Sequence, residues 1–246
     1  MIRSHLSRAV LLTMGLAGVE VRAQVAPVLG VNDGVRTQPI ARVVNGRWVA
    51  DGKCVAAGAS DSRTRERLEA EGAVQVSEVR AVAPGSPEWL RLSPTIVELF
   101  ERREREQRLS DRVSDAPRAV DWIYASDRGE SRTYYFEASR RVASNSPDID
   151  DDTDPPGTVR IAVAGFLHDA AGRLTPLGTK SELRWEQDGL PAGPNRPDLT
   201  PLGVVIHDAR SIWVMKGQSG TSVWFTLYDV STGGTRTLLT ARPARC

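Results

Sequence analysis

Few residues of this chain suit nucleophilic or metal chemistry. Of its 246 residues only three are histidine and two are cysteine, and lysine occurs three times among 32 basic residues, at Lys53, Lys180 and Lys216. The sequence has no glycine-rich loop running into a lysine that would cradle phosphates and no cluster of histidines. Nucleotide hydrolysis and a histidine-built metal centre therefore have no support. The nearest approach to an esterase elbow, Gly217-Gln218-Ser219-Gly220, carries Thr221 where glycine is required. It also lies between two strand-like runs, not between a strand and a helix, so Ser219 reads as a turn residue.

Charge is lacking too. The formal net charge is +1, with no basic block, and the arginines are scattered. A nucleic-acid or anionic-membrane partner needs clustered basic side chains and is not expected. No segment reaches the ~18 consecutive apolar residues of a membrane span.

The first residues have the order of an export signal. Arg3 and Arg8 precede an eleven-residue apolar run, Ala9 to Val19, and Val21-Arg22-Ala23 puts small residues where a signal peptidase reads. Cleavage after Ala23 is predicted, giving a secreted or periplasmic chain of 223 residues, and no cysteine follows the apolar run to carry a lipid anchor. Losing three arginines and one glutamate leaves 29 basic and 30 acidic residues, a net charge of −1. In an oxidising compartment Cys54 and Cys246 are candidates for one disulfide tying the N-terminal segment to the chain end. The competing arrangement is a buried Cys54 and a free Cys246.

Three segments follow from pattern: the signal peptide (1–23), an arm with a small β meander and a helix (24–116), and an antiparallel β domain (117–246). Gln24 to Pro39, rich in Gly, Pro, Asn and Asp, is expected to be a loose arm. Asn45-Gly46 supplies both positive φ angles of a hairpin turn, and Asp51-Gly52 leads to a third strand at Lys53-Cys54-Val55. Thr64 to Glu71 reads as a short helix stopped by Gly72, and Ala73 to Val82 as one strand. Ser93-Pro94 reads as a helix start, with the helix continuing to about Val113. Its stripe is Ile96, Val97, Leu99 and Phe100, and Glu101 to Arg108 reads as a solvated face.

From Pro117 onward the apolar residues alternate with a period of two, predicting about eight strands in an up-and-down barrel or a sandwich. Leu-Thr-Pro-Leu-Gly occurs at residues 174–178 and 199–203, and His-Asp-Ala at 168–170 and 207–209. The two pairs run in opposite order, so they define no duplicated unit and read as similar strand-end chemistry.

The richest stretch is Ser211 to Val230. If Lys216 lies opposite Val223, one face of this hairpin carries Ile212, Val214, Phe225 and Leu227 and the other carries Trp213, Met215, Trp224 and Tyr228. Both faces are apolar, so something must cover the second. A covering layer drawn from the helix or from the meander with Trp48 is one solution. The other is a guest, an apolar molecule or a sugar ring, which makes Trp213, Met215, Trp224 and Tyr228 the candidate ligand-binding residues for a small molecule, glycan or protein partner.

Two further candidates carry chemistry. Asp148, Asp150, Asp152 and Asp154 place carboxylates at every second position of an acidic loop, a spacing that can converge on calcium. An EF-hand frame fails there, since Thr153 stands where glycine and Val159 where glutamate are required, so a solvated connector competes. His168 and His207 each precede an aspartate, Asp169 and Asp208, whose side chain points to the opposite face of a strand. A metal pair would need both histidines to meet across a sheet. With Glu137 and Glu182 as the remaining strand carboxylates, the sequence favours an exported binding or structural module. A carboxylate-based hydrolase or a calcium-binding β domain is the alternative.

Overall fold

The computed structural model describes residues 25–34, 36–51, 66–106, 117–143, 158–186, 199–219, 222–231 and 233–242. The chain opens with β1 (Val28–Asn32), β2 (Thr37–Val44), β3 (Arg47–Ala50) and β4 (Arg67–Glu71). Two short strands, β5 (Gln75–Ser77) and β6 (Arg80–Ala81), lead to the helix α1 (Pro87–Glu106). Eight longer strands follow: β7 (Ala119–Arg128), β8 (Ser131–Ala143), β9 (Thr158–Ala170), β10 (Arg173–Glu186), β11 (Leu199–His207), β12 (Arg210–Ser219), β13 (Ser222–Ser231) and β14 (Gly234–Ala241).

These strands form three antiparallel sheets, which stack with the helix into four layers. An outer sheet has the order β3-β2-β1-β4, a central sheet β14-β13-β12-β11-β5, and a helix-side sheet β10-β9-β8-β7-β6. Among the described residues the expected mainly antiparallel fold with one helix is present, and no barrel closes. The helix-side and central sheets approach at their free edges, where Leu177 and Gly178 of β10 meet Gly234 and Thr235 of β14. On the opposite side one segment belongs to both. The valine-rich stretch expected as a single strand splits, with β5 pairing to β11 and β6 to β7, and Val79 buried between them.

The outer sheet departs most from the expectations. The supposed arm contains β1, which pairs with both β2 and β4 and buries Leu29 and Val31. Gly30 permits this packing, because a Cβ there would stand 2.6 Å from Thr37 Cγ2. Arg67–Glu71 is a strand, not the end of a helix. The helix propensity of Arg-Leu-Glu-Ala-Glu gives way to pairing with β1 and to burial of Leu68. Asn45 and Gly46 have φ angles of 50° and 72°, as the hairpin turn requires. The third meander strand at Lys53–Val55 lies outside the described residues.

The helix begins one Ser-Pro dipeptide earlier than expected. Ser86 is its cap, accepting the Trp89 N–H at 3.2 Å, and Pro87 takes the first position, where a missing N–H costs nothing. Ser93-Pro94 therefore falls inside the helix, with Ser93 Oγ donating to the Trp89 carbonyl at 2.8 Å. Leu92, Ile96, Leu99 and Phe100 pack onto Ile123, Tyr134, Phe136 and Leu167 of the helix-side sheet. The polar stretch after them is not a fully solvated face. Glu104 is 1% exposed and meets Arg118 at 2.7 Å and Arg140 at 3.2 Å. A buried carboxylate is tolerable only with such partners.

Both Leu-Thr-Pro-Leu-Gly segments turn out to be the same device. The pairing of β10 with β9 shifts register between Pro176 and Gly178, and that of β11 with β12 between Pro201 and Gly203. Proline has no N–H for a ladder bond, and the skipped leucine at 177 or 202 turns into an adjoining core.

Candidate functional site

The hairpin β12–β13 is the middle of the central sheet, and both its faces are covered by protein. Its pairing sets Lys216 opposite Phe225 and Gln218 opposite Val223. That is two residues from the expected register, a displacement that leaves every side chain on its expected face. Ile212, Val214, Phe225 and Leu227 join Leu29, Ile40 and Trp48 of the outer sheet in one core. Trp213, Met215 and Tyr228 join Tyr135, Phe166 and Leu177 of the helix-side sheet in another. The meander with Trp48 thus covers the aliphatic face, and the aromatic face is covered by strands β8 to β10.

Phe166 and Tyr135 are rings that sequence reasoning did not assign to this cluster. Phe166 is the central one. It lies edge-on to Trp213 with centroids 5.5 Å apart, and 5.7 Å from Tyr228. Trp213 and Met215 are each 0% exposed and present no surface to a solute. The Trp213 indole N–H donates to Thr133 Oγ1 at 3.3 Å. Tyr228 is half-buried, and burial raises the pKa of its phenol. Trp224, also half-buried, lies against its cross-strand partner Gly217.

Of the other candidates, the calcium loop (Asp148, Asp150, Asp152, Asp154) and both cysteines, Cys54 and Cys246, lie outside the described residues, as does the side chain of Glu182. Among the described residues no three His, Cys, Asp or Glu side chains gather as metal ligands, and no helix is long and apolar enough to cross a membrane. The two histidines do not meet. His207 packs edge-on to Trp48, centroids 5.6 Å apart, on the outer side of the central sheet, whereas His168 lies on its inner side. Glu137 is buried between sheets, where it accepts from the Tyr135 hydroxyl at 2.6 Å and the Leu199 N–H at 3.0 Å. It ties β8 to the start of β11.

Glu88, in the first turn of the helix, is a strongly perturbed carboxylate. The Arg80 guanidinium holds it with two bonds of 2.8 Å, and Tyr134 O–H and Arg132 add contacts at 2.9 and 2.8 Å. These donors, Arg80 foremost, bring its pKa down to about 2. The cluster fastens the start of the helix to the helix-side sheet.

A cleft of about 360 Å³ opens at one end of the helix-side and central sheets. Its walls are two hairpin tips, residues 126–133 from β7–β8 and residues 204–211 from β11–β12. Val204 and Val230 form a buried floor. Polar groups sit above it: Ser126, Arg128, Thr133, His168 and Ser211. Arg128 spans the walls, donating to Ser211 Oγ at 3.0 Å and to the Ala209 carbonyl at 3.1 Å.

No protein-family model, curated protein or solved structure matches this chain.

The cleft therefore has to be judged on its own geometry. The turn that offers the Ala209 carbonyl to Arg128 has Asp208 at φ 48° and Ala209 at φ 59°. Two consecutive non-glycine residues in the left-handed region each carry a cost of roughly 1 kcal/mol. Only Asp127 contributes a carboxylate among the described lining residues, and it is already paired with Arg132 and lies 3.7 Å from Arg80. A single committed carboxylate beside His168 is a poor acid–base pair, whereas a dry floor under convergent polar groups is the usual form of a ligand pocket.

Proposed function

We propose that the chain is an exported β-rich binding module whose ligand site is the cleft between the β7–β8 and β11–β12 hairpin tips. The observation that carries this reading is the contrast between the packed side chains of β12 and the open tips of the β7–β8 and β11–β12 hairpins. Trp213 and Met215 are consumed by packing, while polar groups from two sheets converge on a cavity that protein does not fill. A volume of about 360 Å³ is at the small end of pockets that hold a low-molecular-weight ligand. Export rests on the basic, apolar and small-residue order of the first 23 residues.

Amide-resolved NMR titration of the folded chain with a small-molecule library tests the site. Resonances of residues 126–133 and 204–211 should move together on binding. Shifts confined to other surfaces, or none across the library, would leave a purely structural role. Export is tested separately: the mature protein's N-terminal residue should be Gln24.

A further inference from the structure

We infer that the cleft takes a small oxyanion, a carboxylate- or phosphate-bearing molecule, an assignment that rests on the binding reading above and specifies its ligand. The argument is an inventory of donors against acceptors. Arg128 has five N–H donors and spends one on Ser211 Oγ and one on the Ala209 carbonyl. Ser211 Oγ accepts from that guanidinium and Thr133 Oγ1 accepts from the Trp213 indole. Each hydroxyl oxygen thus receives a bond from a group that can only donate, and among the described residues nothing accepts either hydroxyl's own proton.

Arg210 also borders the rim, but its guanidinium is turned to the other face of the central sheet, 3.8 Å from Asp229, which stands opposite Ile212 of the outer core. The wall opposite holds His168, a further N–H. Against these donors the described lining offers one carboxylate, Asp127, already paired with Arg132. A surplus of donors over a dry floor is satisfied by a ligand rich in acceptors, and with the Arg128 guanidinium among those donors that ligand carries negative charge. The strained Asp208–Ala209 turn fits this assignment, since it fixes the carbonyl that orients Arg128.

The test is calorimetric and NMR titration of the intact mature protein with inorganic phosphate, with citrate and with glucose as a neutral comparison. Saturable binding of phosphate or citrate, with shifts at residues 126–133 and 204–211, is expected, and which of the two binds tells phosphate from carboxylate recognition. Arg128→Gln should weaken that binding about tenfold or more, the loss of one charge-assisted contact, with the folded state confirmed by its near-ultraviolet dichroism. Arg210→Gln, whose guanidinium is turned to the opposite face of the sheet, should leave it unchanged. Arg42→Gln, on the exposed side of the outer sheet, should change nothing. Binding of glucose but neither anion, or anion binding indifferent to Arg128→Gln, overturns the oxyanion assignment and leaves the binding module standing. No binding of any of the three, together with no hit from the wider library, removes both.

Discussion

The indole of Trp224 occupies the place where Gly217, its partner across the β12–β13 ladder, would carry a side chain. A Cβ at Gly217 would overlap Cε2, Cζ2 and Nε1 of that ring. The glycine serves a cross-strand fit and not a turn. Gly217→Ala should therefore cost about 1–3 kcal/mol by overpacking. In a Trp224→Ala background the same change should cost almost nothing. Urea unfolding of the four members of this cycle gives the coupling, and additivity between the two sites would refute the fit.

Trp213 and Trp224 should separate sharply in energy although they share a hairpin face. Trp213 is enclosed by Phe166, Tyr228 and the Thr133 hydroxyl, so Trp213→Ala should lose roughly 3–5 kcal/mol. Trp224→Ala, at a half-buried position, should lose less. Equal urea midpoints for the two variants would mean that the layers do not close over the aromatic face as described.

Acid should loosen the start of the helix. The Glu88 pKa is lowered from its usual 4.5 to about 2, chiefly by the Arg80 bonds. A carboxylate whose folded pKa is depressed contributes stability that is fully present above its unfolded value and is lost as the pH falls toward the folded one. Between about pH 5 and pH 2 the Glu88 contribution should therefore drain away. Glu88→Gln should be less stable than the parent at pH 6, and the gap should narrow toward pH 2. Thermal midpoints across that range supply the check, and a constant gap would refute it.

Pro94 offers the reverse experiment. It sits inside the helix on the exposed face one turn from Leu90, whose carbonyl it cannot bond. Pro94→Ala restores the donor and relieves the ring's clash with that carbonyl. Part of the roughly 3 kcal/mol penalty of an interior proline is offset by proline's stiffening of the unfolded chain, so a net gain of about 1–2 kcal/mol is expected. A lower thermal midpoint for Pro94→Ala would show that the helix needs the irregularity.

The period-two patterns from Val120 to Leu239 were legible because sheet burial repeats with the side chains themselves. Tyr134, Phe136 and Ala138 face the helix and Tyr135 the central sheet, as that alternation requires, and all eight hairpin residues lie on the faces expected of them. Of the outer sheet only the β2–β3 hairpin was legible. The sheet's strands β1 and β4 lean on Gly30 and on a helix-favouring Arg-Leu-Glu-Ala-Glu, and neither pattern shows what it will pair with. Ser86-Pro87 and Ser93-Pro94 carry the same capping signal, and only the packing of Leu92 and Ile96 selects the earlier one. The cleft escaped because hydroxyls and an arginine at two hairpin tips, some eighty residues apart, look like ordinary turn chemistry until the tips meet.

A sheet with one wet side defends its frame by alternation, since sliding a strand one step would push grease into water. The central sheet has no such defence, because either frame buries apolar side chains on both sides. Its alignment must come from misfits: the tight Asp208–Ala209 corner, the Pro201–Gly203 kink, and an indole that tolerates only glycine beneath it. Until its neighbours dock, this middle leaf is sticky on both surfaces, so those few steric stops protect the nascent chain from pairing out of step or with another copy of itself.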